Sequence, residues 1–142
     1  MAAPQLGFLS DLLGFRLKQA TQILLGESEK LLRPLGISPQ HFSVLAMVAL
    51  NPGIIQSRLI DNLYITRSTC SDLIEQLIKK KLIQRTPIDR RSNGLTLTDE
   101  GADILQQAKK IVDENAVTAT DHMEPEEVKE LIRLLTKFSD RG

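Results

Sequence analysis

A chain of 142 residues with 42% apolar side chains is the size of one domain and can bury a proper core, which excludes disorder. Its 18 basic and 18 acidic groups cancel, and its single cysteine excludes a disulfide framework and fits a reducing, cytoplasmic setting. No run approaches the roughly 18 apolar residues of a membrane span, and Asp11, Arg16 and Lys18 interrupt the apolar N-terminus in a way a secretory signal would not tolerate.

The first 33 residues read as one long helix, with Leu9, Leu12, Leu13, Leu17, Ala20, Ile23 and Leu24 on a single stripe. Gly14 and Gly26 weaken this helix, and Pro34 and Gly36 end it. Ser38 followed by Pro39 is an N-cap with proline at the first helical position, and it opens a short apolar helix stopped by Asn51-Pro52-Gly53. A brief amphipathic segment over 56–63 turns Leu59, Ile60 and Leu63 inward. The span 67–82 predicts a helix whose inner face is Cys70, Leu73, Ile74, Leu77 and Ile78. Two short β-runs, 83–86 and 95–97, flank a tip bearing Arg90 and Arg91. Thr98 caps a helix to about Ala119, with Asp99 and Glu100 suiting the dipole of its first turn, and Pro125 opens the last helix. Val128, Leu131, Ile132, Leu135 and Phe138 form the stripe of that last helix.

The zero net charge is unevenly spread. Residues 1–55 carry net +1, residues 56–91 net +4 and residues 99–142 net −5. Between Lys79 and Arg91 six basic groups face one acid, Asp89. Such a local basic footprint suits phosphate, although a solvated charged face would have the same composition.

Helix, short helix, turn, helix and arginine-tipped hairpin is the order of a winged helix-turn-helix. The residues "SPQHFSVLAMVALNPGIIQSRLIDNL", "TRSTCSDLIEQLIKKKLIQR" and "DRRSNGLTLTDEG" resemble, in turn, the second and third helices, the recognition helix and the wing of the MarR-type bacterial transcription regulators. The resemblance is strongest from Ser38 to Gly101. It implies a mainly α fold with a small β-hairpin wing: a single MarR-like domain over 1–142, a winged helix-turn-helix lobe over 38–98, and N- and C-terminal dimerisation helices over 6–35 and 99–140. Tyr64 and Lys81 stand where the family commonly has glycine. Either the turns differ or Asn62 and Lys80 absorb the geometry, because a non-Gly residue at positive φ is strained.

Small and polar side chains at the start of a recognition helix can enter the major groove, and Arg67, Ser68, Thr69, Ser71, Asp72 and Gln76 qualify. Arg90 and Arg91 in the wing suit the negative potential of the minor groove. By the family's pattern, Asp89 holds one of those arginines through a charge-assisted hydrogen bond. The resemblance also implies a homodimer on double-stranded DNA, more as repressor than activator, with a pocket for a small aromatic ligand to which Arg16, His41 and Met47 are candidates.

The competing classes have less support. There is no Gly-rich phosphate loop, Ser-His-Asp arrangement or metal-ligand spacing, so neither an enzyme nor a cofactor is expected. His41, His122 and Cys70 fall short of a zinc set. Cys70, on the apolar face of its helix, reads as a packing residue, since the family's peroxide sensors carry their cysteine near the start of the first helix. A winged helix serving only protein–protein contact stays open as the alternative.

Overall fold

The computed structural model describes residues 2–142. Its helices are α1 (Leu13–Leu32), α2 (Pro39–Leu50), α3 (Gln56–Leu63) and α4 (Arg67–Lys79), followed by a hairpin of β1 (Ile83–Pro87) and β2 (Asn93–Leu97), then α5 (Asp99–Ala119) and α6 (Pro125–Ser139). The mainly α winged fold expected from the sequence is the one found. No helix among the described residues is long and apolar enough to cross a membrane.

The N-terminus departs from the expected single helix. Gly7 takes a left-handed φ of 56° and starts a 3-10 turn over Gly7–Asp11. Leu12 is then extended, at φ −87° and ψ 123°, and α1 begins only at Leu13. A 3-10 turn brings its side chains round every three residues, so the apolar stripe continues across the break and conceals it. At the other end α1 tightens into a 3-10 turn over Arg33–Leu35, and Gly36 stops it at φ 74°.

The N-cap of α2 is as expected, with one addition. Ser38 Oγ accepts the His41 amide at 3.2 Å, and His41 Nδ1 accepts the Ser38 amide at 3.0 Å. Histidine here takes the place that Glu or Gln usually fills in a capping box.

The recognition helix α4 ends three residues before the predicted boundary. Lys81 turns left-handed, at φ 62°. Its amide donates to Ile78 O at 2.9 Å and the Leu82 amide donates to Leu77 O at 3.0 Å, the bond pair of a Schellman cap. Leu82 is buried beside Leu77 in the core, so it keeps the apolar period after the backbone has left the helix. Tyr64 likewise takes φ 54° as the C-cap of α3. Asn62 and Lys80 therefore do not absorb the strain; the two residues standing in glycine positions bear it themselves.

The core of the winged lobe joins Val44, Leu45 and Val48 of α2, Leu59 of α3, Cys70, Leu73, Ile74 and Leu77 of α4, and Ile83 and Leu95 of the hairpin. The hairpin is antiparallel, pairing Ile83 with Leu97 through to Pro87 with Asn93. Ile54 adds a single bridge to Leu95, a third sheet position that the sequence did not reveal. A Cβ at Gly94 would stand 2.5 Å from Gly53 O, so that approach requires glycine. Gly101 is as constrained: its Cβ would meet Leu82 O at 2.0 Å, where the first turn of α5 rests on the chain leaving α4.

Outside the lobe, α1 packs along α5. There the buried Asn115 donates to Ser28 Oγ at 2.9 Å. α6 buries none of its side chains, and Leu131, Ile132, Leu134, Leu135 and Phe138 are exposed, as are Phe8, Leu12 and Leu13 near the other terminus. Full burial of one such side chain is worth about 1.5–3 kcal/mol.

Candidate nucleic-acid interface

Thr66 caps α4. Its Oγ1 accepts the Thr69 amide at 3.1 Å, which orders the first helical turn. With Cys70, Leu73, Ile74 and Leu77 committed to the core, the opposite face must point outward. Arg67, Ser68 and Asp72 lie exposed on it, beside the half-buried Thr69 and Ser71.

The six residues expected to read DNA are not equivalent. Thr69 Oγ1 accepts from Thr66 Oγ1 at 2.9 Å, and Ser71 Oγ accepts from Gln56 Nε2 at 2.7 Å, a bond that ties α3 to α4. Gln76 is exposed, but its amide is engaged: its Oε1 lies 2.7 Å from His41 Nε2. Arg67, Ser68 and Asp72 remain as the outward polar set, with Ser68 Oγ 3.3 Å from Thr66 Oγ1.

The wing is joined to α4 by an ion pair between Arg85 and Glu75, at 2.6 Å. Both groups are well exposed, so the pair orients more than it stabilises. At the tip, Asp89 Oδ1 accepts the amides of Arg91 at 2.8 Å and Ser92 at 2.9 Å. Asp89 thus closes the backbone turn and leaves the guanidinium groups alone, contrary to the family-based expectation. A short carboxylate finds its own backbone two residues on more readily than a mobile arginine head. The Arg91 amide, then the Ser92 hydroxyl and amide, hold the Asp89 carboxyl below the usual carboxylate range. Arg90 and Arg91 are exposed on this closed tip.

The three candidates for a ligand pocket are not brought together. Arg16 lies on α1, donating to Ser10 O at 2.8 Å and to Gln19 Oε1 at 3.0 Å. His41 is buried at the N-terminus of α2. Met47 lines a separate cleft with Asn51, Ile54 and Arg58. Helical periodicity places residues on a face but does not place two faces opposite one another. A cleft of about 570 Å³ lies instead between α1 and α5, with Ile23, Leu31 and Ile111 as walls, Asn115 and Thr118 as polar points, and Glu27 and Glu114 among its lining residues.

Cys70 is fully buried, and burial pushes its thiol pKa up, so it packs in the core and carries little thiolate. Sequence reasoning missed the His41–Gln76 bond. Its one available signal was histidine three residues after an N-cap serine.

A polar helix face exposed beside an arginine-tipped hairpin, on this order of elements, defines a winged helix-turn-helix protein. The profile of the MarR family matches residues 35–92. The chain is 31% identical to the transcriptional repressor CouR solved on a 23-mer DNA duplex, with a TM-score of 0.89 over 97% of this chain and 99% of that one. It belongs to the MarR family. CouR bound to p-coumaroyl-CoA is 28% identical, with a TM-score of 0.88 over 99% of this chain and 100% of the other. A putative transcriptional regulatory protein for the hcr operon of Thauera aromatica is 34% identical over 79 residues, which are 54% of this chain and 48% of that protein. The match therefore spans about half the length of that curated relative. CouR is a transcriptional repressor and the Thauera protein a putative transcriptional regulator.

Proposed function

We propose that the protein is a transcription repressor that binds a palindromic promoter site as a homodimer. The observation that carries this reading is the outward set Arg67, Ser68 and Asp72 on α4, flanked by Arg90 and Arg91 on a tip that Asp89 closes. α4 enters the major groove through its capped N-terminal turn, and the wing arginines lie along the adjacent minor groove. CouR, similar over its whole length, binds a DNA duplex, which supports the same docking here. Residues 38–98 form the DNA-binding lobe, and the segments 6–35 and 99–140 form the dimer. Two-fold symmetry of the dimer matches a palindrome. The setting is the cytoplasm, where promoter DNA is.

The repressor is released by a small aromatic ligand. The α1–α5 cleft has apolar walls for a ring and falls within the usual size range of ligand sites, roughly 300–1,000 Å³. Glu27 and Glu114 line it, so a free aromatic carboxylate would meet like charge there, whereas a thioester carbonyl is neutral. The complex of CouR with p-coumaroyl-CoA supports an aromatic acyl thioester as the class.

Duplexes selected from a random pool by the purified protein test the function. The expected result is a palindromic consensus bound by a dimer and released by p-coumaroyl-CoA at lower concentration than by p-coumarate. Equal affinity for selected and random duplexes would favour a winged helix used only for protein contact.

A further inference from the structure

His41 is one of two histidines in the chain, and the structure buries it between two helices of the winged lobe. Its Nδ1 accepts the Ser38 amide at 3.0 Å, so the ring proton sits on Nε2. Nε2–H then donates to Gln76 Oε1 at 2.7 Å. A single neutral imidazole therefore completes the N-cap of α2 and grips α4 thirty-five residues further along. The bond crosses an otherwise apolar α2–α4 contact made by Val44, Leu45, Val48, Leu73 and Leu77. Apolar packing of that kind is non-directional and tolerates small rotations, whereas a hydrogen bond fixes an angle.

We propose that His41 is a positioning residue for operator binding: by bridging the N-cap of α2 and Gln76 it sets the rotation of α4 on α2, and only the neutral ring makes both bonds at once. This rests on the DNA-binding reading above. Gln76, though exposed, then leaves the set of DNA-reading residues and becomes the anchor of the recognition helix on α2. A second proton on the ring puts N–H at Nδ1, opposite the Ser38 N–H, and the Ser38 amide loses its acceptor. Ser38 Oγ, 3.1 Å from Nδ1, accepts the His41 amide and has a second lone pair for the new N–H. Nε2–H still donates to Gln76, so protonation loosens the imidazole from the α2 cap and not from α4. Lys80, the C-cap of α4, is the charged group that acts on the ring, and Glu100 and Asp103 of α5 share with Lys80 the cleft beside Leu35 and Gly36. Burial first, and Lys80 after it, hold the imidazole below its usual range, while the bond to Gln76 opposes them.

The test is operator affinity against pH, from 8 to 5.5, by fluorescence anisotropy on a duplex selected by the wild type at pH 8, with thermal melts of each protein alongside. Wild-type affinity is expected to weaken progressively on the acid side, by a few-fold per ring at pH 5.5, because the lowered pKa confines titration to the acid end of this range. His122→Gln removes the other histidine, which is exposed at the α5–α6 turn, and should leave that fall in place. His41→Gln keeps a capping-box amide at the third helical position and should give a flat profile with weaker binding at pH 8. Gln76→Ala should also weaken binding at pH 8, and the His41→Gln/Gln76→Ala double variant should lose little more than either alone, because the two residues act through one bond. A flat wild-type profile, a fall abolished by His122→Gln, or fully additive losses in the double variant would overturn the positioning role. If no selected duplex binds at pH 8, the regulator reading fails first and the positioning role falls with it.

Discussion

Tyr64 ends α3 with φ at 54° and is 86% exposed. A non-glycine residue in the left-handed region costs about 1–2 kcal/mol from the approach of its Cβ to the following carbonyl. At that exposure the ring recovers little of this by burial. Tyr64→Gly removes the clash but gives the unfolded chain more freedom, at about 0.5–1 kcal/mol. The net expectation is a stabilisation of roughly 0.5–1 kcal/mol, or about 2–4 °C in Tm for a chain of this size. Tyr64→Ala is the control, because alanine keeps the Cβ and hence the strain. Differential scanning calorimetry of the three proteins at one concentration separates backbone from side chain. The glycine variant should melt above both others and bind operator like the wild type, since the turn already has the geometry glycine prefers. Equal melting of the alanine and glycine variants would refute the strain argument. It would show that the turn relaxes in solution or that the exposed ring, not the backbone, decides stability at this corner.

Arg90→Ala should weaken operator binding by about 2–6 kcal/mol over the two copies of a dimer, taking roughly 1–3 per contact. It should also flatten the dependence of log affinity on log salt by about 0.9 for each phosphate no longer neutralised; an unchanged slope in anisotropy titrations would remove the wing from the interface. Leu131→Glu places a charge on the exposed apolar face of α6, and sedimentation should show the dimer dissociating to monomers that no longer bind the operator. Cys70→Val should leave DNA affinity unchanged, and mild peroxide should not affect the wild type, because the thiol is buried and its pKa raised; a peroxide-dependent loss absent from the valine variant would reverse this. Stability should fall on the acid side through His41, whose folded-state pKa is lowered. Above about pH 6.5 the ring is neutral in both states. Below it the unfolded chain takes up a proton that the folded protein refuses, so urea midpoints should drop until pH passes the lowered folded value and then level off. His41→Gln should lack that drop.

The helices, their caps and the order that makes a winged helix-turn-helix were legible in the sequence because the forces behind them are local. Ser38 and Thr98 start helices by satisfying amides within one turn, Pro39 and Pro125 by a preset φ and a missing amide, and the predicted starts of α2, α5 and α6 match the observed ones. Apolar periodicity likewise named the inner face of α4. It could not place the end of that helix, because Leu82 stays buried after Lys81 has turned the chain, nor the break at Leu12, because a 3-10 turn preserves the stripe. Tyr64 and Lys81 show that a position can demand left-handed backbone without containing glycine: the core clamped on either side sets φ, and the residue bears the cost. The polar partners were the least legible. Whether Asp89 holds an arginine or a pair of amides depends on a few ångströms at the wing tip. Whether the exposed Gln76 has a free amide or one bonded to His41 depends on how α4 is rotated about α2, and whether Arg16, His41 and Met47 share a pocket depends on how α1 and α2 are arranged in space. Those rotations come from close packing between helices distant in sequence, so the tertiary structure alone decided which polar groups meet.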